Sequence, residues 1–265
     1  MEGVAGVVAP DDISPGHSEY ERNRKYMTDE ASAAVRGVLA FDPDASVVVC
    51  DAHAAYRNLL PDRLARDCTL LRGSPRTHGM LTGIDSRVDA VCLIGYHSMA
   101  GTNRSLLAHT MSGSTIASVR CDGQELGEIG LGAALAAHYG AVPVLVTGDD
   151  TCVAEATSVI PGVTTVSVKR AVGNRAAESL HPEESCSRIE AAAKAGLENR
   201  DTVRGPRFAG TIDLEVDMLR PFMTERACQI PGVALRGPLT LGFTALDLPA
   251  AYDLIDIFAV LAAAP

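Results

Sequence analysis

The chain has 265 residues, 47% of them hydrophobic, so it can bury a sizeable core as one large domain or as two closely joined ones. Its 33 acidic and 23 basic residues give a formal charge of −10, which makes nucleic acid and anionic membranes poor partners. Aromatic residues make up only 4% and tryptophan is absent, so we expect no stacking platform for bases or sugars.

Strand and helix signals alternate through the first part of the chain. Thr28, followed by two acidic residues, predicts the N-cap of a helix that runs to about residue 40. A second helix is predicted over residues 126–139, ending at Gly140. Apolar, β-branched runs predict buried strands at residues 46–50 (SVVVC), 89–95 (DAVCLIG) and 142–147 (VPVLVT). We therefore predict an α/β fold with a mostly parallel sheet and helices on both faces.

The pattern changes from about residue 169. The elements predicted there are a charged helix at residues 183–199, an alternating strand at 210–216, a short helix near Pro221, a strand near 239–245 and a helix from about Leu248. This order is typical of an α+β unit. We predict two parts: an α/β domain over residues 1–168 and a smaller α+β subdomain over residues 169–265.

Several features bear on where the protein is found. The seven cysteines are scattered and include no CxxC pair, so we expect reduced, mostly buried thiols in the cytoplasm. The opening MEGVAGVVAPDD has no basic n-region and reaches two aspartates too early for a secretion signal. The apolar run near the C-terminus is interrupted by Asp256 and is too short to span a bilayer. We expect a soluble protein with no membrane partner.

Polar side chains follow the predicted strands, at the edge where open α/β proteins bind ligands. Asp51 and His53 come after the first strand and His97 after the second. Glu128 stands in the first turn of the helix within ELGEIG. Two histidines and several carboxylates offer the nitrogen and oxygen ligands that zinc accepts. The residues thus indicate a candidate metal site in the 1–168 part.

Each of these residues also has a local explanation. A histidine after a strand is more often a hydrogen-bonded loop residue than a ligand. Asp51 can turn the chain, cap a helix or orient an imidazole, and Glu128 can complement a helix dipole. Asp149 and Asp150 are expected to cap the helix near Cys152. Spacing alone does not identify a reaction.

Short motifs in a fixed order run through almost the whole chain: MEG at 1–3, YERNRKYMTDEA at 20–31, DAH at 51–53, GYH at 95–97, AHTM at 108–111, GEIG at 127–130, PVLVTGDD at 143–150 and IPGV at 160–163. By these motifs the chain resembles the D-aminopeptidase (DppA-like) family of zinc metallopeptidases, peptidase family M55. The resemblance implies a two-zinc centre with Glu2, His53, His97 and Glu128 as metal ligands. It also implies that His109, in AHTM, is catalytic, whereas the residue by itself would be a hydrogen-bonded loop histidine.

The resemblance implies a zinc-dependent aminopeptidase that cleaves short peptides, with N-terminal D-amino acids such as D-Ala, by metal-activated water. Zinc lowers the pKa of bound water from 15.7 to about 7. Pentameric rings stacked as a homodecamer are also implied. Lys169 and Arg175 match family positions and could bind a substrate carboxylate, although surface bases are more often solvated. The alternatives are a catalytically impaired, ring-forming metal-binding scaffold and another zinc amidohydrolase.

One part of the family pattern is absent. The family begins with a hydrophobic strand ending in Asp-x-Glu-Gly, and this chain starts at the x, which is Met1. The bridging aspartate and a strand inside the sheet are therefore missing, which leaves four protein ligands for two zinc ions. Either the start was assigned too late, which we favour because the later motifs are kept, or the chain is a true truncation with impaired activity. We expect the chain as printed to bind no more than one zinc and to be a poor peptidase.

Overall fold

The computed structural model describes residues 1–263 and has a mixed α/β fold; residues 264 and 265 of the predicted second part lie outside it. The helices are α1 (Tyr20–Phe41), α2 (Glu128–His138), α3 (Asp150–Val159), α4 (Pro182–Glu198), α5 (Pro221–Ala227) and α6 (Leu248–Ala263). The strands are β1 (Val48–Cys50), β2 (Thr69–Leu71), β3 (Ala90–Leu93), β4 (Ile116–Cys121), β5 (Gln124–Glu125), β6 (Val142–Asp149), β7 (Thr164–Gly173), β8 (Ala176–Ser179), β9 (Ile212–Met218), β10 (Ala234–Leu235) and β11 (Thr240–Ala245). Short 3-10 turns occur at Pro10–Ile13, Gly79–Leu81 and Arg200–Thr202.

The strands form three sheets. In the first, β3, β6 and β7 run parallel and β8 adds an antiparallel edge, in the order β3-β6-β7-β8. β1 and β2 form a separate parallel pair. The third sheet is antiparallel throughout, in the order β10-β11-β9-β4-β5. The α/β class is confirmed, and the parallel pairing is divided between the β3-β6-β7 strands and the separate β1-β2 pair.

Helices cover both faces of the parallel sheet. Successive residues of a strand point to opposite faces. In β6, Leu145 packs with residues of α1 and α4, including Ala33 and Ala193. Its neighbour Val146 packs with residues of α2 and α3, including Ile129 and Ala156. The buried strand β6 thus has a helix layer on each side, as the sequence predicted.

Helix α1 begins earlier than the sequence predicted. Its first residue is Tyr20, well before the N-cap predicted at Thr28. Thr28 lies inside it, where its hydroxyl donates to the Arg24 carbonyl at 2.8 Å and accepts from the Leu60 backbone N–H at 3.0 Å. The N-cap prediction was wrong because the hydroxyl joins the helix to a neighbouring loop instead of capping its first turn. The other predicted helices and strands are present, with ends shifted by a few residues.

The strand pairing bears on the division at residue 168. β7 contains residues on both sides of that position, and β4, from the first predicted part, pairs with β9 from the second. The two-part division stays a prediction. In the described part of the chain, no helix has both the length and the apolar character needed to cross a bilayer.

Close packing of α1 against α4 can be tested at Gly37. A methyl group there would overlap the carbonyl oxygen of Glu190 and approach Cβ of Ala193 to 2.7 Å. We expect Gly37→Ala to lower the free energy of unfolding by about 1–3 kcal/mol, although alanine favours helices, because the packed interface cannot take the extra group. Gly173→Ala, with nothing within 4 Å of the added carbon, is the control. Urea unfolding of both variants checks this, and an unchanged or stabilised Gly37→Ala would contradict it.

Candidate metal centre

The N-terminal segment brings Glu2 to the carboxyl end of β3. The Gly3 backbone N–H donates to the Gly95 carbonyl at 3.0 Å, and the Met1 amino group donates to the same oxygen at 3.3 Å. A side chain at Gly3 would overlap the Tyr96 carbonyl oxygen, so only glycine permits this approach. Glu2 is consequently buried, with 6% of its surface exposed.

His53 reaches Glu2 from the loop that follows β1. Its Nδ1 lies 3.0 Å from Oε1 of Glu2. The loop is organised by the buried Asp51 carboxylate, which accepts from the backbone N–H groups of Asn58 at 2.5 Å and Leu59 at 2.7 Å. Asp51 also accepts from the His53 backbone N–H at 3.4 Å, so it supports the loop that carries the imidazole.

Glu128 joins two further histidines. It is the first residue of α2, where the helix dipole favours a carboxylate. Its Oε2 lies 3.3 Å from Nε2 of His97, and its Oε1 lies 3.4 Å from Nε2 of His109. The two rings stack with centroids 4.0 Å apart. Glu128 Oε1 also accepts from the Met111 backbone N–H at 2.8 Å, which holds the His109 loop against α2.

Backbone carbonyls fix the proton on each of the three rings. Nδ1 of His97 lies 3.0 Å from the Ser98 carbonyl, and Nδ1 of His109 lies 2.8 Å from the Leu107 carbonyl. In His53 it is Nε2 that faces a carbonyl, that of Ile13, at 3.1 Å. A carbonyl only accepts, so the ring nitrogen beside it carries the hydrogen and the other nitrogen of a neutral ring presents a lone pair.

In all three rings that lone pair faces a carboxylate oxygen. Two acceptors cannot bond each other, so each contact needs a proton or a metal cation between the two atoms. A histidine that donates one ring N–H to a carbonyl and turns the other nitrogen to an acidic site has the arrangement usual for metal-ligating imidazoles. The donor atoms therefore fit a metal ion such as zinc, which accepts both imidazole and carboxylate ligands.

The pKa values of the cluster follow from burial and from the charges inside it. Burial would raise the pKa of Glu2, but the Met1 ammonium, His53 and His97 hold it well below its ordinary value. The pKa of Glu128 is lowered because His97 and then His109 outweigh its burial. Burial would lower the pKa of His97, but Glu128 and Glu2 raise it to about 9. Burial and the nearby His97 lower the pKa of His109.

The structure thus brings together the four predicted ligands and the predicted catalytic residue. Glu2, His97 and His109 offer ligand atoms that all lie within 4.8 Å of one another. His53 adjoins this group through Glu2, and Glu128 adjoins it through the two histidines. The assignment of individual roles stays a prediction.

The remaining predicted residues lie around this cluster. Asp149 is the N-cap of α3, accepting from the Cys152 N–H at 2.7 Å, and it also accepts from the Leu106 N–H of the His109 loop at 3.0 Å. Arg175 is exposed between β7 and β8. Lys169 is buried in β7, and its amine donates to carbonyls of the N-terminal segment.

Sequence reasoning named Lys169 but missed its burial, and it missed the amino group of Met1 altogether. Lys169 was expected at the surface, since a lysine in a strand carries no signal of the distant carbonyls that surround it. The amino group of Met1 was also overlooked; it lies 2.9 Å from Oε2 of Glu2 and is buried. The capping role of Asp149, by contrast, had a local sequence signal.

The chain as a whole matches a known family and a solved structure. The family model described as D-aminopeptidase (Peptidase_M55) matches residues 1–257. The D-aminopeptidase of Bacillus subtilis (strain 168) is 30% identical over 269 aligned residues, covering 99% of this chain and 95% of the relative. A solved structure, described as the Zn-dependent D-aminopeptidase DppA from Bacillus subtilis, a self-compartmentalizing protease, superimposes with a TM-score of 0.95. It is 28% identical, and the match covers 99% of this chain and 95% of that one.

The cluster generates a direct test of metal binding. The free energy of zinc binding by four protein ligands is about 10–16 kcal/mol. Because this energy is shared among the ligands, loss of one should weaken zinc binding roughly 100-fold. We expect His97→Gln to show this loss in competition with a chelator. His138→Gln, at an exposed histidine of α2, is the matched control and should bind as the unaltered chain does. Equal zinc affinity in both variants would show that His97 is not a metal ligand.

Proposed function

This chain belongs to the D-aminopeptidase family, and on that premise we propose that it is a zinc-dependent aminopeptidase acting on short peptides with N-terminal D-amino acids such as D-Ala. The observation that carries the proposal is the set of three imidazoles, each tied by one nitrogen to a backbone carbonyl and turned by the other towards a buried carboxylate. The Bacillus subtilis D-aminopeptidase and the solved structure of a Zn-dependent D-aminopeptidase support the choice of metal and of substrate stereochemistry.

In this proposal Glu2, His53, His97 and Glu128 hold the metal. Zinc supplies Lewis acidity, which polarises a peptide carbonyl and makes water a nucleophile near neutral pH. The protein residues orient their donor atoms in advance, because the carbonyls of Ile13 and Ser98 fix two of the rings. Burial of the cluster excludes bulk water and strengthens its electrostatic interactions.

His109 is proposed to handle protons. Its pKa is lowered, so the ring is neutral at neutral pH and its Nε2 can accept a proton. Its side chain is 22% exposed, more than that of His97, so it faces the region from which a substrate approaches. The Leu107 carbonyl holds the protonated Nδ1, which leaves Nε2 for the reaction.

The first test compares substrates and one variant. We expect purified protein with added zinc to cleave D-Ala dipeptides faster than L-Ala dipeptides or simple amides. His109→Asn should lower kcat/KM about 100- to 10,000-fold, the usual contribution of a positioned acid or base. Zinc content is measured alongside.

Three results would count against the proposal. Preferential cleavage of simple amides would favour another amidohydrolase. No hydrolysis of any substrate by zinc-loaded protein would favour the scaffold alternative. Unchanged kcat/KM in His109→Asn would remove the role of His109.

Assembly and location belong to the same proposal. The solved structure is described as a self-compartmentalizing protease, which supports a homo-oligomer. We propose that the oligomer consists of pentameric rings stacked as a decamer. Large apolar side chains remain more than half exposed in this chain, as at Leu246 (78%) and Val260 (67%), and they suit burial between subunits. All seven cysteines are free thiols, which supports a reducing compartment such as the cytoplasm.

A cleft lies between two of the parallel strands, beside the N-terminal segment. A cavity of about 740 Å³ lies between β1 and β3 and is lined by residues of both strands, by the apolar face of α1 and by Met1 and Glu2. Within residues 1–263, β1 pairs only with β2, and β3 only with β6, so each strand has an open edge. A strand ending at Met1 would run parallel to both and would join the two sheets.

Restoring a strand should change both stability and metal content. We expect the chain as printed to bind no more than one zinc. A fused apolar segment of about six residues, ending in aspartate directly before Met1, should bring the content to two. Burial of two or three of its side chains should raise Tm by at least about 4 °C.

The matched control ends the same segment in asparagine. In metal-free protein it should give the same rise in Tm, and with zinc it should not bind the second ion, which separates the effect of the strand from that of its carboxylate. A segment interrupted by prolines should give neither effect, because proline cannot complete the ladder. Two tightly held zinc ions in the unextended chain would contradict the prediction.

A further inference from the structure

Lys169 makes an unusual set of contacts for a lysine. It is 3% exposed, and its Nζ donates to the carbonyl oxygens of Glu2 at 2.6 Å, Val4 at 2.9 Å and Val7 at 2.6 Å. An ammonium group has three N–H donors. All three are therefore used on a single short segment, residues 2–7, which curls around one buried charge.

A buried carboxylate holds the same segment by a different group. Oε1 of Glu30, in α1, accepts from the Ala5 backbone N–H at 3.0 Å and from the Ser185 hydroxyl of α4 at 2.7 Å. Glu30 is 1% exposed. A cation thus binds three carbonyls of the segment, and an anion binds one of its N–H groups. These opposite contacts fix the orientation of residues 2–7.

The first residue in this arrangement is Glu2 itself. Its carbonyl accepts from Lys169, while its carboxylate lies 3.0 Å from His53. Without the amine, the carbonyls of Glu2 and Val7 would be buried without partners, at about 1–3 kcal/mol each, while the Val4 carbonyl would keep only the Val7 N–H at 3.2 Å. The segment would then have to move to satisfy them. Its movement would carry the Glu2 carboxylate away from the imidazoles.

We propose that Lys169 is a positioning residue that fixes Glu2 at the metal centre by holding its backbone. The proposal rests on the proposed function only for the identity of the metal. Lys169 touches neither the imidazoles nor a substrate in this role; it acts through the carbonyls of residues 2–7. The same contacts place its amine on the backbone and not on a substrate carboxylate.

The experiment uses Lys169→Met, which keeps the length and apolar character of the side chain and removes its donors. We expect zinc to bind roughly 10- to 100-fold more weakly, as for other residues that orient a ligand. In metal-free protein, the amides of residues 3–8 should exchange hydrogen faster than in the unaltered chain. Lys194→Met, at an exposed lysine paired with Glu198 on α4, is the control and should change neither quantity.

Several outcomes would overturn the proposal. One is unchanged zinc affinity in Lys169→Met; another is a lower Tm with unchanged exchange in residues 3–8, which indicates a general structural role. If Lys169→Met does not fold, Lys169→Gln, which keeps two N–H donors, is measured in its place and should show a smaller loss of zinc affinity. Failure of both variants to fold would also overturn it. A lack of zinc binding by the unaltered chain would contradict the proposed function, while the exchange comparison would still decide the role of Lys169.

Discussion

The carboxylates of Glu2 and Glu128 are buried against ring nitrogens of three histidines, and positive charge must lie among them. A carboxylate removed from water without a partner costs several kcal/mol. Two cations meet this need in the structure: the ammonium of Met1 beside Glu2, and His97, whose pKa is raised to about 9 by the two carboxylates. A divalent metal would satisfy the same carboxylates and leave the rings neutral. The burial that makes the site costly without cations is thus also what gives it affinity for a metal.

The two larger sheets position the histidines by anchoring opposite ends of one loop. His97 follows β3 in the parallel sheet, and the loop that carries His109 ends at β4 in the antiparallel sheet. Three carboxylates, at the start of α2, at the N-cap of α3 and within α3, hold this loop by its backbone. They are Glu128, which accepts from Met111, together with Asp149, which accepts from Leu106, and Glu155, which accepts from Met99. A loop without helix or strand is consequently fixed well enough to stack two imidazoles.

Much of the candidate site could be predicted from local sequence, because its residues lie at the ends of strands and at the start of a helix. Apolar runs predict the parallel strands, and the acidic first turn predicts the start of α2. Because open α/β sheets bind ligands at the carboxyl ends of their strands, His53, His97 and Glu128 are then expected to lie together. Three features could not be predicted in this way. The residues after Thr28 predict that it is an N-cap, yet its hydroxyl bonds to a carbonyl inside α1 and to a backbone N–H of a distant loop. Lys169 reads as a surface base, because its three partners are carbonyls far away in sequence. The pairing of β4 with β9 joins segments about a hundred residues apart and has no local signal.

The two sides of the metal centre differ in how they are held. His97, His109 and Glu128 belong to a strand end, a loop tied by three carboxylates and a helix start. Glu2 belongs to residues 1–9, which form neither helix nor strand, and its place depends on the Gly95 carbonyl, Lys169 and Glu30. The open edges of β1 and β3 lie next to that segment. Disturbance of the sheet would therefore reach Glu2 and its contact with His53 first, and would leave the histidine pair on Glu128 in place.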